Sequence, residues 1–426
     1  MTFKIVFRKY IFGVLVFLVP LTNAKAQLAE PDSIRGQVDV RDVVRKMRNK
    51  PPAPPDTTQR QSFFSVLPSA GYNPSVGFQL GVSSVGGCYF GDPATTTYST
   101  FHWNAYASTN KLASCEFSHN TFTPNNVLNL QGKVEIGRTV AFDYGVGTGK
   151  KHQGDGEFSL NGVPLANNSD VFPINFTYIK FDEHIYRKLF THVYAGAGVV
   201  ADWYTGIDNI HNESHNFRSH NFRYSMIKGY NPRGYMASGM LFNLQFNSRD
   251  QPNRPYKGVY ADFVLRVNQQ WLGSTKNAVQ LKAEARKYVS LSKENPQHVL
   301  AFWLWGNYLL GGSIPYLELP GTGSDVANRI GRGYTIGRFK GFSFAYAETE
   351  YRFPITSNKL ISGVLFANAQ TANNRRNIKL YEYWEPGGGA GLRFLFNKYS
   401  RSAVCLDYGV GHYGSKGIFL GLNEVF

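Results

Sequence analysis

The chain has 426 residues, of which 15% are aromatic and 43 are glycine, and it carries a formal charge of +16 at pH 7. Its three cysteines, Cys88, Cys115 and Cys405, are too few and too scattered for a disulfide framework, and past residue 26 no apolar run is long enough for a transmembrane helix. The basic surplus is spread over the N-terminus, the segment Arg35–Arg60 and the connecting loops, so no nucleic-acid partner is expected.

Lys4, Arg8 and Lys9 precede an apolar stretch from Ile11 to Leu21, and Ala24-Lys25-Ala26 offers a small-x-small cleavage site. Residues 1–26 therefore read as a secretory signal peptide, with the mature chain beginning near Gln27. Residues 27–61 form an N-terminal arm. Within it Val38–Asn49 predicts a short basic amphipathic helix with Val40, Val43, Val44 and Met47 on one side, followed by a stiff proline spacer at 51–55.

From residue 62 onward the pattern changes to period-2 alternation. In Val127–Ile136, Leu128, Leu130, Val134 and Ile136 share one face with Gly132, while Asn129, Gln131, Lys133 and Glu135 share the other. Val259–Asn268 and Val279–Val289 repeat it, with charges on one side only. The expected strands are 63–70, 76–88, 97–108, 112–122, 127–137, 174–188, 193–205, 235–248, 256–268, 277–290, 297–311, 341–353, 360–370, 387–396, 402–409 and 417–426. The last run closes on the aromatic Phe426, as outer-membrane barrel strands do.

Sixteen strands with charge on one face and apolar side chains on the other predict an all-β fold over 62–426: a 16-stranded antiparallel transmembrane β-barrel with a polar lumen. The four long connections (139–173, 206–234, 312–340, 371–386) all follow odd-numbered strands, which puts them at one end, the extracellular one, and makes the arm periplasmic. The arm then either trails as a disordered tail or plugs the lumen with its helix.

Gly331-Arg332-Gly333-Tyr334 lies in the connection between strands 11 and 12. Glycines on both sides let the backbone fold tightly enough to carry one guanidinium into the lumen, towards the face of strand 12 that bears Glu348, Glu350 and Arg352. With this loop, the acidic strand ending in Tyr351-Arg352-Phe353-Pro354, the closing segments Gly389–Phe394 and Leu406-Asp407-Tyr408-Gly409, and the turn Phe246–Gly258, residues 62–426 resemble the surface-antigen family of outer-membrane barrels that includes BamA, TamA and the two-partner-secretion transporters. The resemblance implies a lumen-directed loop between strands 11 and 12. It also implies a weak lateral seam between the first and last strands, here Pro68 and Phe426, and a place in the outer membrane of a Gram-negative bacterium.

Two departures stand out. Where the family's thirteenth strand usually supplies an Asp for the loop arginine, this chain has Asn368, which can accept a hydrogen bond but carries no charge. Glu350 and Asn368 are the expected loop anchors, Glu350 is the only matched carboxylate for Arg332, and Asn368→Asp is expected to be tolerated or to strengthen the site. The family's periplasmic POTRA domains have no counterpart in the sequence. Pro68 removes a ladder donor in the first strand, and marks either a weak edge or simply a strand end.

Other motifs carry little. Gly145–Lys151 lacks the spacing of a phosphate-binding loop, and His211, His215 and His220, in an Asn-rich connection, read as solvated. No catalytic residue, metal ligand or cofactor site is assigned, and no enzymatic activity is expected. The leading expectation is a barrel that assists insertion or translocation of protein or lipid. Its partners are then outer-membrane lipid and either unfolded outer-membrane proteins or a periplasmic or surface partner protein. The alternative is a passive diffusion channel or structural barrel.

Overall fold

In the computed structural model, residues 36–50, 62–73, 77–109, 111–149, 172–209, 219–325, 328–375, 378–398 and 401–426 are described. The expected signal peptide and the start of the arm lie outside them. A helix α1 (Val40–Met47) precedes sixteen strands: β1 (Ser62–Asn73), β2 (Gly77–Cys88), β3 (Ser99–Ser108), β4 (Ala113–Phe122), β5 (Leu128–Asp143), β6 (Phe172–Phe190), β7 (Val193–Asn209), β8 (Gly234–Asn247), β9 (Gly258–Asn268), β10 (Ala278–Ser290), β11 (Val299–Gly312), β12 (Ser343–Pro354), β13 (Ile361–Ala372), β14 (Glu385–Asn397), β15 (Ser402–Gly411) and β16 (Lys416–Leu422). A second helix, α2 (His220–Lys228), lies between β7 and β8. Every strand pairs antiparallel with its neighbours in sequence order. Among the described residues no ladder joins β16 back to β1.

Alternation decides which side chains face which solvent. On β5 and β6 the pairs Lys133↔Asp182 and Glu135↔Lys180 point inward, while Val134↔Phe181 and Ile136↔Ile179 point outward. Phe117, Ile136, Phe181 and Ile185 are all exposed on that outer face. Its apolar band is bounded by two outward charges, Arg187 opposite Leu128 and Arg138 opposite Thr177. Ten residues of strand separate these levels, which at about 3.3 Å rise and roughly 40° tilt is about 25 Å, the height of the apolar belt of a membrane barrel.

Three expectations are refined. β5 runs to Asp143 and β7 to Asn209, beyond the expected ends, because their upper halves rise above the belt into a cap. There Ile174, Phe176, Tyr204, Ile207, Tyr224 and Tyr316 pack together. β16, expected to reach residue 426, ends at Leu422. The arm helix forms where the valine spacing places it, and Asp39 caps it by accepting from Asp42 N at 3.0 Å. It docks beneath the barrel: Val38 N donates to Asn358 O at 3.0 Å, and Lys398 N donates to Asp39 Oδ2 at 3.2 Å. Asn358 and Lys398 belong to the β12–β13 and β14–β15 turns, so the short turns and the arm share one end, as the parity of the loops requires.

The cap hangs on one carboxylate. Asp143 is fully buried and accepts from Tyr316 Oη at 2.5 Å, Asn221 N at 3.1 Å and Gly145 N at 3.3 Å. His220 Nδ1 lies 3.1 Å from Asp143 Oδ1. One residue thus ties together the β5–β6, β7–β8 and β11–β12 connections. His220, read from sequence as solvated, is instead buried against this carboxylate, because α2 folds inward with Tyr224 in the cap core; His211 and His215 lie outside the described residues. The glycines of 145–149 also serve the cap, with Gly147 N donating to Lys340 O at 2.7 Å.

Burial works against the charge on Asp143, but His220, the Tyr316 hydroxyl and Lys340 outweigh it and hold the carboxyl down at about 2, from an ordinary 3.8. A carboxyl held below its unfolded value contributes stability that is complete above about pH 4 and is lost as the pH falls towards 2. Pepsin cleavage of the cap should therefore rise across that interval, and Asp143→Asn should flatten the pH dependence while leaving the cap looser at neutral pH.

Candidate functional site in the barrel lumen

The connection from β11 to β12 folds back into the lumen. Ile330, Arg332, Tyr334 and Phe339 are all buried. Gly331 and Gly333 adopt φ of +83° and +104°, the left-handed region that side chains rarely enter. A Cβ on Gly333 would also sit 2.6 Å from Val410 O. The wall beneath is cut away to match: a Cβ on Gly409 would approach Gly333 N at 2.7 Å, and one on Gly411 would strike the Tyr334 ring. Tyr334 locks the tip, its hydroxyl donating to Pro386 O at 2.5 Å and accepting from His412 N at 2.8 Å.

The two positive-φ glycines aim Arg332 at three carboxylates. Its guanidinium donates to Glu348 and Glu350 on β12 and to Asp407 Oδ2 on β15 at 2.8 Å, and it lies 3.8 Å above the centre of the Phe366 ring. Glu350, the expected anchor, is therefore one of three. Glu348 and Asp407 reach the same cation because β12 and β15 curve around the loop, a juxtaposition that no spacing along the chain displays.

Asn368 has a different role from the one expected. Its Nδ2 donates to the backbone oxygen of Arg332 at 3.0 Å, so it holds the loop's main chain and offers the guanidinium nothing. An Asp there would set a carboxylate against a carbonyl oxygen beside three existing carboxylates, which reverses the expected benefit of Asn368→Asp.

The lattice extends downward. Arg352 Nε donates to Glu350 Oε2 at 2.7 Å, Arg393 Nη1 to Asp407 Oδ1 at 2.5 Å and Arg393 Nε to Glu424 Oε2 at 2.7 Å. Arg254, from the β8–β9 turn, places Nε 3.0 Å from Glu424 Oε1. Four guanidiniums (Arg254, Arg332, Arg352, Arg393) thus face four carboxylates (Glu348, Glu350, Asp407, Glu424). That balance is what lets so many charges be buried together.

Glu424 explains the early end of β16. The tail 423–426 leaves the sheet and turns into the lumen, where Phe426 stacks on Trp303 at 5.1 Å and its backbone oxygen accepts from Arg352 Nη2 at 2.8 Å. Phe426 is therefore away from the seam at which sequence placed it. Pro68 does lie in β1, opposite Val82 and exposed on the outer face. Sequence reading assigned no role to Arg254, Arg393, Asp407 or Glu424. The available signal was the inward phase of charged residues at the centres of β14 and β15.

Removing one member of a buried ion pair leaves its partner uncompensated, so Arg332→Ala and Glu350→Ala should each destabilise the barrel by about 3–5 kcal/mol. The double variant should fall short of their sum. Asn368→Asp and Gly333→Ala should each loosen the loop. Thermal unfolding on unboiled gels and limited proteolysis of the β11–β12 loop measure all five variants; strictly additive Arg332 and Glu350 effects would show that the pair does not anchor the loop.

Residues 56–396 match the Omp85 superfamily domain. Among solved structures, BamA from Haemophilus ducreyi lacking POTRA domains 1–3 is similar at 13% identity and a TM-score of 0.50, over 84% of this chain and 69% of that one. CdiB from Escherichia coli is similar at 7% identity and a TM-score of 0.52, over 85% of this chain and 62% of that one. At these identities the likeness concerns the fold, and this chain spans only about three-fifths of the CdiB chain. No curated protein matches the chain. The family match covers most of the sequence and agrees with the resemblance read from Gly331–Tyr334 and its neighbours: the chain belongs to the Omp85 superfamily.

Proposed function

We propose that this protein sits in the outer membrane of a Gram-negative bacterium and assists the insertion or translocation of polypeptide there, using the edge of β1 as a template. The observation that carries this reading is the mismatch at the seam. β1 has 12 residues and β16 only seven, so even a full ladder between them leaves part of the β1 edge without a partner. A free strand edge is a row of unpaired donors and acceptors ready to take another strand. Pro68, on β1, further weakens any ladder at that edge.

Among the described residues the lumen offers no comparable route. Loop 313–342 and the tail occupy its centre, Arg254 and α1 lie at its lower end, and the Asp143 cap covers the upper one. This packing speaks against a passive diffusion channel and favours work done at the seam, on an unfolded outer-membrane protein or, by the same opening, on a lipid.

Depletion in the native host should lower the abundance of other outer-membrane barrels in quantitative proteomics. In purified vesicles, disulfides engineered between β1 and β16 should block insertion of an unfolded barrel, with activity restored by reduction. An unchanged outer-membrane proteome, together with steady conductance from the intact protein, would overturn the reading in favour of a channel.

A further inference from the structure

Among the described residues, the apolar outer face of β4–β6 carries an ionisable pair well inside its rims. His119 on β4 and Glu183 on β6 stand in register with Gly132 on β5 between them. The inward phase of these strands is fixed by Lys133, whose Nζ bridges Glu116 at 3.0 Å and Glu135 at 3.1 Å. His119, Gly132 and Glu183 fall in the opposite, outward phase. His119 Nε2 lies 3.2 Å from Glu183 Oε2, and His119 Nδ1 lies 3.1 Å from Thr121 Oγ1. Both side chains lie over Gly132, where any Cβ would collide with them.

This group stands inside the membrane belt. Glu183 is four residues above Arg187 and six below Arg138's partner Thr177. Four residues correspond to about 10 Å of height, too deep for the lipid headgroups that meet Arg187. Around it lie Phe117, Ile136, Phe181 and Ile185, all exposed. Glu183 keeps 26% and His119 18% of its side chain exposed, and among the described residues only Oε2 of the carboxylate has a hydrogen-bond partner. A carboxylate oxygen open to hydrocarbon is costly, and ionisable groups at such depth are normally covered by protein.

We infer that the outer face of β4–β6 around Gly132 is a two-fold contact with a second copy of this chain, the Thr121 hydroxyl of each protomer turning to the open Glu183 carboxylate oxygen of the other. The chemistry selects this occupant. A two-fold axis along the membrane normal keeps every residue at its own depth, so the patch meets itself, and an isologous contact requires self-complementarity. A patch of one sign would repel its copy. This one presents imidazole and hydroxyl beside a carboxylate with a free oxygen, and it carries apolar side chains around that centre.

The test uses the full-length protein in lipid nanodiscs and native membranes, with Cys88→Ser and Cys115→Ser to remove the accessible thiols. Val134→Cys, beside Gly132 on the outer face, should cross-link to a second copy. Phe242→Cys, on the outer face of β8, should not. The His119→Leu/Glu183→Leu variant should keep its folded mobility on unboiled gels yet self-associate roughly a hundredfold more weakly, about tenfold for each of the two symmetry-related charge-assisted contacts. A protein that is monomeric at every lipid ratio, equal cross-linking at 134 and 242, or a leucine variant that dimerises like the wild type would each overturn the inference. The cross-linking arm keeps the wild-type pair, so it decides the question even where the leucine variant fails to fold.

Discussion

The structure depends on the burial of one guanidinium. Arg332 is buried at the centre of the lumen, so its charge must be met by carboxylates brought from elsewhere, and most of the interior follows from that need. Glu348 and Glu350 lie on one wall and Asp407 on the other; the loop can reach both only by a tight turn, which needs glycine at 331 and 333. The turn in turn needs a wall without side chains, which Gly409 and Gly411 provide. Three carboxylates around one cation would repel one another, so Arg352 and Arg393 enter as further cations. Arg393 requires Glu424, and Glu424 draws the tail out of the sheet. The shortened β16 is thus a distant consequence of charge balance around Arg332.

The strands were legible in the sequence because period-2 alternation is local: Leu128 to Ile136 declares its phase without reference to any partner. The end of β16 was not, because Ile418–Phe426 alternates well enough for a strand, and only the pull of Arg393, Arg352 and Trp303 on Glu424 and Phe426 withdraws the tail. The same limit applies to the site. Gly331-Arg332-Gly333 announces a cation carried on a tight loop, and the inward phase of Glu348 and Glu350 was readable from β12 alone. Asp407 was not, since its approach depends on how far β15 curves around the loop. Asn368 was misread because sequence shows that an amide can accept or donate but not which backbone group it will face.

His119 and Glu183 show the opposite case, in which the sequence held the information and only register released it. The two residues are 64 positions apart, and each sits in an alternating run where one polar residue on the apolar face is an ordinary irregularity. Pairing β4, β5 and β6 brings both irregularities to one spot over Gly132, a coincidence that independent surface substitutions would rarely produce.

These features divide the barrel into rigid and yielding regions. From β11 to β15 the wall is cross-braced by the lattice, by Tyr334 and by the stacking of Phe426 on Trp303, so local opening there breaks several buried charge contacts at once. Among the described residues the β1 edge has no such bracing: its ladder partner β2 holds one side, and β16, at the other end of the sheet, is five residues shorter. Because β16 leads into the lattice and no ion pair among the described residues joins β1 to it, opening the seam leaves the charge balance around Arg332 intact. A barrel with its interior locked and one edge unbraced moves first at that edge, which is the mechanical condition that strand-templated insertion requires.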